Sequence, residues 1–493
     1  MALPPVHRLP PEILVDILGT YFSTMDLTSS KFSADPTRIV VLDWSAVCRR
    51  WRIICLSTPS LWSKLQLTCV DDSWDDEERG KKVHRTVCMF MNRSQNHPLS
   101  IILLFTHPPQ SSGLHNVIET LLRDSGRWES FTTYSWSAIT SHPAFQSVKN
   151  TFSALHSLSV MNEVDGSTVI QDLGRTPALR YLYIDFTRFP TSEVQTLFAT
   201  QLESVHIRLA GNTPVSARKL ASLCASIQEL GLRIWEGQLV DEGPYHCSSI
   251  ASELKCLRLG LDSDASSLFL HSIAAPRLSS VDLSSSGTPL HALLTGSYSP
   301  WDPSPFISFV KRSSCTITSL SLCNLTLGSD QQVAQFLSCM PAVKSLIIAE
   351  LLRGREDEWW TNVTQTTSRL LQELCVGHNE EPVGEAVRDI AQGGESFSST
   401  ASTRGPLLPS LINFHLDISR SLNDANTSTL MKLVASRWTT DVEDRARAGL
   451  VESFRLVEIK CDRRRDIPES LKSQLRSLSD AGLEVFLIYM EDY

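Results

Sequence analysis

The sequence predicts an α+β repeat protein: a small helical module followed by an irregular α/β solenoid. Three observations carry that reading. Two segments near the amino-terminal end hold apolar residues at helical spacing, a short aliphatic template recurs over most of the remaining chain, and an acidic stretch stands between the two while a Ser/Thr/Gly-rich one falls between copies. For a chain of 493 residues, length alone suggests about three domains, but repeats make length a poor guide.

The first helix is predicted over Leu9 to Phe22. Pro10 and Pro11 suit a first helical turn, whose N–H groups have no partner in any case, and Glu12 faces the positive end of the helix dipole. Ile13, Leu14, Ile17, Leu18, Tyr21 and Phe22 then form one broad apolar stripe. A second helix is predicted from Asp43, as N-cap, through Trp44, Val47, Cys48, Trp51, Ile54 and Cys55, with Arg49, Arg50 and Arg52 on its other side; Pro59, Leu61 and Trp62 follow. So few residues cannot bury so many large side chains among themselves, which leaves an apolar face for a partner.

The pieces L-P-P-E-I-L-V-D-I-L at 9–18, V-C-R-R-W-R-I-I-C at 47–55 and T-P-S-L-W at 58–62 resemble an F-box, over about residues 7–67. The resemblance implies docking onto a Skp-type adaptor, and through it a cullin, in a ubiquitin ligase. It assigns adaptor binding to Leu9, Pro10, Ile13, Leu14, Ile17, Leu18, Val47, Cys48, Trp51, Leu61 and Trp62, a set that mixes contact residues with the module's own core. Leu9 and Val47 lie farther apart than the family pattern requires, and residues 23–38 read as an inserted surface loop.

Residues 68–97 read as an acidic linker, Asp71 to Glu78, with a connecting helix, and residues 98–493 as the solenoid. Its template, L-x-x-L-x-L with aliphatic substitutes, begins at Leu155, Leu179, Leu202, Ile227, Leu254, Leu278, Ile317, Val343, Leu371, Leu411 and Val451. The intervals are 24, 23, 25, 27, 24, 39, 26, 28, 40 and 40 positions. Periods near 20–29 are those of leucine-rich repeats, and the longer gaps hold insertions, one of them the flexible-looking Gly393 to Gly405. Each strand turns its aliphatics inward while a helical segment, such as Val194–Ala199, Ala217–Ser226 or Gln331–Met340, returns the chain. Pro177, Pro276, Pro341 and Pro409 stand just before strands, where they stop the preceding helix. No regular Asn or Cys occupies the ninth place, so the stack is expected to be irregular. Leu99 to Leu104 and Trp128 to Phe131 extend it back to about residue 98.

Composition narrows the function. Lys and Arg total 45 against 54 Asp and Glu, with no basic excess for nucleic acid or an anionic membrane, and Arg463 to Arg465 reads as a solvated turn. Twelve cysteines show no C-x-x-C pair, and the His and Cys residues are scattered, so no metal or cofactor is expected. With neither a signal-like start nor an apolar run of membrane-spanning length, a cytoplasmic or nuclear location is expected, and the N-x-[ST] matches at Asn92, Asn324, Asn362 and Asn426 are taken as chance. No nucleotide, hydrolase or metalloprotease motif occurs, so the expectation is binding rather than catalysis. Outward strand positions offer Tyr181, Tyr183, Arg208, Arg233 and Arg258, with Trp235 just beyond; the three Arg, on successive repeats, are expected to line up and hold an acidic or phosphorylated segment of a target protein. The whole resembles the F-box proteins of mushroom-forming fungi, and implies the substrate-recognition subunit of a Skp-cullin-F-box ubiquitin ligase. Two readings compete with it: a leucine-rich-repeat interaction scaffold without a ligase role, and an enzyme with a dispersed active site.

Overall fold

The computed structural model of the chain describes residues 9–24, 40–69, 77–105, 112–134, 136–148, 152–163, 176–186, 201–209, 215–223, 225–234, 239–240, 249–261, 263–285, 301–323, 325, 330–350, 370–375, 407–418, 424–438, 450, 452–462 and 469–490. The chain divides into two units between Arg233 and Ile234.

The first unit opens with helices α1 (Pro11–Thr24), α2 (Val40–Ser45) and α3 (Arg49–Ser57) and a 3-10 turn at Pro59–Trp62. Then come β1 (Lys64–Cys69), α4 (Glu77–Ser94), β2 (Leu99–Phe105), α5 (Ser112–Arg123), β3 (Trp128–Thr133), β4 (Ser157–Glu163), β5 (Tyr181–Phe186), β6 (Ser204–Leu209) and β7 (Glu229–Ile234). Its strands stand side by side in chain order, and β1 through β6 pair in parallel. The second unit repeats the arrangement with β8 (Cys256–Leu261), β9 (Ser280–Ser285), β10 (Ser319–Cys323), β11 (Ser345–Glu350), β12 (Asn413–Ile418), β13 (Leu456–Asp462) and β14 (Glu484–Met490), again parallel throughout. Helices such as Ser304–Ser313, Asp330–Ser338 and Asp424–Arg437 carry the chain between them.

Parallel neighbours need a crossover, so each strand's inward side chains are covered by the segment that follows. From β4 to β7 and from β8 to β13 the fourth and sixth template residues, for example Leu182 and Ile184 or Phe414 and Leu416, are at most 3% exposed. Each such burial is worth about 2 kcal/mol. Two backbone devices set where a strand starts. The first template residue closes a turn on the carbonyl three residues earlier: Leu179 N–H to Thr176 O (3.2 Å), Leu278 to Ala275 (3.2 Å), Val343 to Met340 (3.2 Å), Leu411 to Leu408 (3.1 Å). In all four the next residue along is the proline noted in the sequence. Its fixed φ therefore shapes the corner into the strand, rather than only ending a helix. The second template carbonyl then accepts two N–H groups from the next turn: Arg180 O from Glu203 (2.9 Å) and Ser204 (3.1 Å), Lys344 O from Ile412 (2.9 Å) and Asn413 (2.9 Å).

Several expectations are corrected here. The first unit's sheet starts at β1, not near residue 98: Leu65 and Leu67 are buried and Lys64 lies opposite Ser100, so α4 is a return segment inside the sheet. Leu371 to Leu374 is helical, and β11 pairs directly with β12. The last template begins at Phe454, not Val451, because Arg455 and Leu456 donate to Ile412 O and it is Val457 and Ile459 that are buried. β14 follows without an aliphatic first place. Residues 25–39, 70–76, 194–199 and 393–405 lie outside the described residues.

Helices α4 and α5 cross in backbone contact: a Cβ added at Gly113 would sit 2.4 Å from the Gly80 carbonyl carbon and 2.6 Å from its Cα. In an open helix Gly to Ala gains about 1 kcal/mol, but here backbone must move, which costs roughly 1–3 kcal/mol. The clash wins. Gly113→Ala is expected to lower the urea midpoint with an unchanged slope, measured by circular dichroism.

Candidate functional site: the helical module and the outward strand faces

On α1 the apolar residues fall as adjacent pairs, and the helix divides the first two. Leu14 and Leu18 are buried, while Ile13 and Ile17, one turn apart, face solvent. The second expected helix is two. α2 ends at Ser45, Ala46 and Val47 form a turn, and Cys48, extended at φ −159, is the N-cap of α3, its Sγ accepting from Trp51 N–H at 3.5 Å. Asp43 therefore lies in the first turn of α2 rather than at the N-cap of the second helix, a place that Cys48 takes. The break turns Val47 outward, and Ile53 on α3 and Leu42 on α2 are exposed as well. Of the ten large apolar side chains exposed among the described residues, these five, at 36–61% exposure, belong to the module. Leu42 and Ile53 were not read from the sequence, since Ile53 stands out of phase with Trp51, Ile54 and Cys55.

The remaining apolar residues hold the module together. Ile54, Cys55, Leu61 and Trp62 are buried, and the Arg50 guanidinium donates to Leu9 O, tying the approach to α1 onto α3. Arg52 Nε donates to Ser45 O at 3.0 Å across the break. Trp62 Nε1 donates to Cys55 O at 2.7 Å, its ring meets Phe90 edge-on at 5.1 Å, and Arg93 lies over it at 4.7 Å. Of the residues expected to meet an adaptor, Leu14, Leu18, Leu61 and Trp62 are thus core: their side chains face the module's interior and offer no surface. Pro10, Ile13, Ile17 and Val47 are exposed, and Leu9, Cys48 and Trp51 are half-buried. Burial raises the Cys55 thiol pKa and keeps it from reacting as a thiolate.

The outward strand faces are mixed. In the first unit His156 meets Tyr181 at 5.1 Å, Tyr183 stacks on His206 at 6.3 Å, and His206 Nε2 lies 3.5 Å from Glu229 Oε1. The His206 ring occupies the space over Gly231, where a Cβ would come within 2.2 Å of Nδ1. Tyr181 is exposed and Tyr183 half-buried; Trp235 lies outside the described residues. The expected Arg row is not built. Arg208 is half-buried and paired with Asp185 at 3.4 Å, Arg233 is exposed at the equivalent template place, and Arg258 stands two places earlier in its own template, opposite Asp282. Asp185, 23 positions away in sequence, pairs with Arg208, and Asp282, 24 positions away, stands opposite Arg258. Desolvation raises the Asp185 pKa despite Arg208 and Arg233, and that of Asp282 despite a bond from Ser321 and the charge of Arg258.

In the second unit Glu458 accepts from Lys460 at 3.0 Å and lies 3.0 Å from His415 Nδ1. The Lys460 hydrogen bond chiefly holds Glu458 below the usual carboxylate range. Asp417 differs. Burial raises its pKa and Glu458 adds to the rise, Lys460 opposes it, and among the described residues Oδ1 has no hydrogen-bond partner. A raised folded-state pKa means that the protonated form favours the fold: the contribution is present below the unperturbed 3.8 and is lost as pH rises through the folded value. Asp417→Asn is expected to be more stable than wild type at pH 7 and to lose that advantage on acidification, read from urea midpoints across the acid range.

No group of three or more metal-ligating side chains, and no helix long and apolar enough to cross a membrane, occurs among the described residues. Residues 6–68 match the family model described as F-box-like. No curated protein matches the chain. Among solved structures, the crystal structure of the Rad7 and Elc1 complex in yeast is similar over 72% of this chain and 97% of that one, at 12% identity and a TM-score of 0.24. The chain is a mixed α/β protein that carries an F-box-like domain at residues 6–68.

Proposed function

We propose that the chain is the non-enzymatic substrate-recognition subunit of a Skp-cullin-F-box ubiquitin ligase. The F-box-like module docks a Skp-type adaptor, which links it to the cullin, and the strand-rich remainder, an irregular leucine-rich-repeat solenoid, holds a protein target in the cytoplasm or nucleus. One observation carries the reading: within a domain that matches the F-box-like model, apolar side chains are turned to solvent around a closed core. Isolated exposed apolar residues need no explanation, but half of the exposed set among the described residues in one small module fits a surface meant to be covered. Adaptor contact then falls to Pro10, Ile13, Ile17 and Val47, joined by Leu42 and Ile53, with Leu9, Cys48 and Trp51 at their margin. Holding a target beside the transfer machinery raises its effective concentration there, which is all the chemistry this subunit has to supply.

The test is capture of the purified chain by a Skp-type adaptor. Ile13→Asp with Ile17→Asp removes two exposed side chains and is expected to leave the circular dichroism spectrum intact while weakening capture by roughly 100-fold or more. Leu14→Asp, by contrast, is expected to unfold the module. A wild-type chain that fails to bind the adaptor sinks the reading. Capture without any change in target turnover on depletion of the chain leaves only the scaffold.

A further inference from the structure

The edge strand β14 is built unlike the strands before it. Its outward residues Phe486 and Ile488 are 51% and 40% exposed, and its inward pair, Val485 and Leu487, is only half-buried, whereas the equivalent Val457 and Ile459 of β13 are fully buried. Beyond Glu484 the described side chains are apolar on both faces, and the inward face is only partly covered. β13 pairs along one side of it, from Leu456 opposite Glu484 to Asp462 opposite Met490. Among the described residues no strand pairs along the other. Edges that stay in water are usually blunted by charge or proline. β1 follows that rule, with Lys64 and Gln66 outward, whereas β14 carries charge only at its start, Glu484, and then turns Phe486 and Ile488 outward.

The free side calls for a strand. Glu484 N–H donates to Arg455 O of the preceding turn at 3.0 Å, so Glu484 and every second residue after it direct their backbone groups at β13. Val485 and Leu487 turn theirs to the open edge. We propose that β14 pairs antiparallel with β14 of a second copy of this chain about a two-fold axis at Leu487. Leu487 then exchanges both backbone bonds with its own counterpart. Phe486 falls opposite Ile488 of the second copy in the non-hydrogen-bonded places, where side chains approach most closely. The strand is self-complementary in this register: an apolar residue meets an apolar residue at every central place, and the two Glu484 carboxylates lie at opposite ends, roughly 20 Å apart. An isologous pair of this kind closes and does not propagate.

Sedimentation velocity of the full chain at concentrations up to about 100 µM is expected to show a species of twice the 54.9 kDa monomer. Phe486→Glu and Ile488→Lys, each on an exposed side chain, are each expected to give the monomer with unchanged thermal unfolding. An equimolar mixture of the two variants restores the dimer, because one Glu then faces one Lys and the other cross pair stays apolar. A wild-type chain that is monomeric throughout overturns the proposal, as does a dimer that survives both single substitutions. Monomeric variants that fail to recombine overturn the antiparallel register. Adaptor capture by the monomeric variants is expected to match wild type, which separates this result from the fate of the proposed function.

Discussion

Within each unit the strand order depends on one backbone contact, the second template carbonyl that accepts two N–H groups from the next turn. Strand pairing has a period of two, so a slip of one residue would turn both inward aliphatics of a strand into water, a loss of about 4 kcal/mol per strand. A carbonyl that engages two successive N–H groups at the point of entry fixes the phase before the ladder begins. The turn just upstream, with proline in it at Leu179, Leu278, Val343 and Leu411 and without it at Leu155 and Leu254, presents the first template residue in the same phase. Because the signal is local, the length of the return segment is free to vary. Val343 and Leu411 head adjacent strands yet lie 68 positions apart, against 24 for Leu254 and Leu278. Loop closure adds only about 0.6 kcal/mol per doubling of length.

The same economy explains how the module is mounted. Ser63 O, directly after the turn that holds Trp62, accepts from Ser100 N–H of β2 at 2.9 Å, so the last turn of the module is also the entry to the first strand. Trp62 reaches both ways, to Cys55 O behind it and to Phe90 and Arg93 of α4 ahead. Removing its indole would therefore loosen the module and the first return helix together. The acidic stretch after β1, which composition alone makes a linker, falls between two strands of one sheet and cannot act as a hinge between module and repeats. In the first unit the exposed face of α1 is thus held by packing rather than by a tether.

What could be read from the sequence followed from how many residues share a signal. The repeat was legible because ten strands, β4 to β13, obey one template, and the module because helical spacing and its Pro, Trp and Leu-Trp markers coincide. Errors came where two structures share a spacing. The first and fourth template places are also one helical turn apart, so Leu371 and Leu374 satisfied the template as a helix. Likewise, spacings of three and four run unbroken through Val47 and Cys48, although a thiol caps a new helix there. Within α1, Ile13 and Leu14 are adjacent and equally apolar, and only the position of α3 and the turn at Trp62 decides which is core. β14 was missed because its first place is Gly482, at φ +107, and not an aliphatic residue. The Arg row was broken by phase and by pairing: Arg258 stands at the fifth template place whereas Arg208 and Arg233 stand at the seventh, and Arg208 is paired by Asp185 of the neighbouring strand, 23 positions away in sequence.

Exposed apolar residues in this chain are not scattered evenly. Seven of the ten large ones among the described residues belong to the helical module and to β14. Between these segments in sequence, outward strand places are filled mainly by Ser, Thr, Asp, Glu, His and Arg, as in β9 with Ser280, Asp282 and Ser284. Each exposed apolar side chain forgoes about 1.5–3 kcal/mol that burial would return, so a sheet that keeps water on its outward face elsewhere has no stability reason to relax at these two places. Two separate apolar surfaces are best accounted for by two separate partners, one helical-module partner and one strand. If both are engaged, each pair of chains carries two adaptor-docking modules, and a target that bears two copies of its recognition segment is held by both chains at once. The second contact is then intramolecular, and avidity exceeds single-site affinity by about 100-fold or more without any new contact residue. Such a gain appears only when the two target segments can span the pair, so it sets a length requirement on the target that a monomeric receptor would not impose.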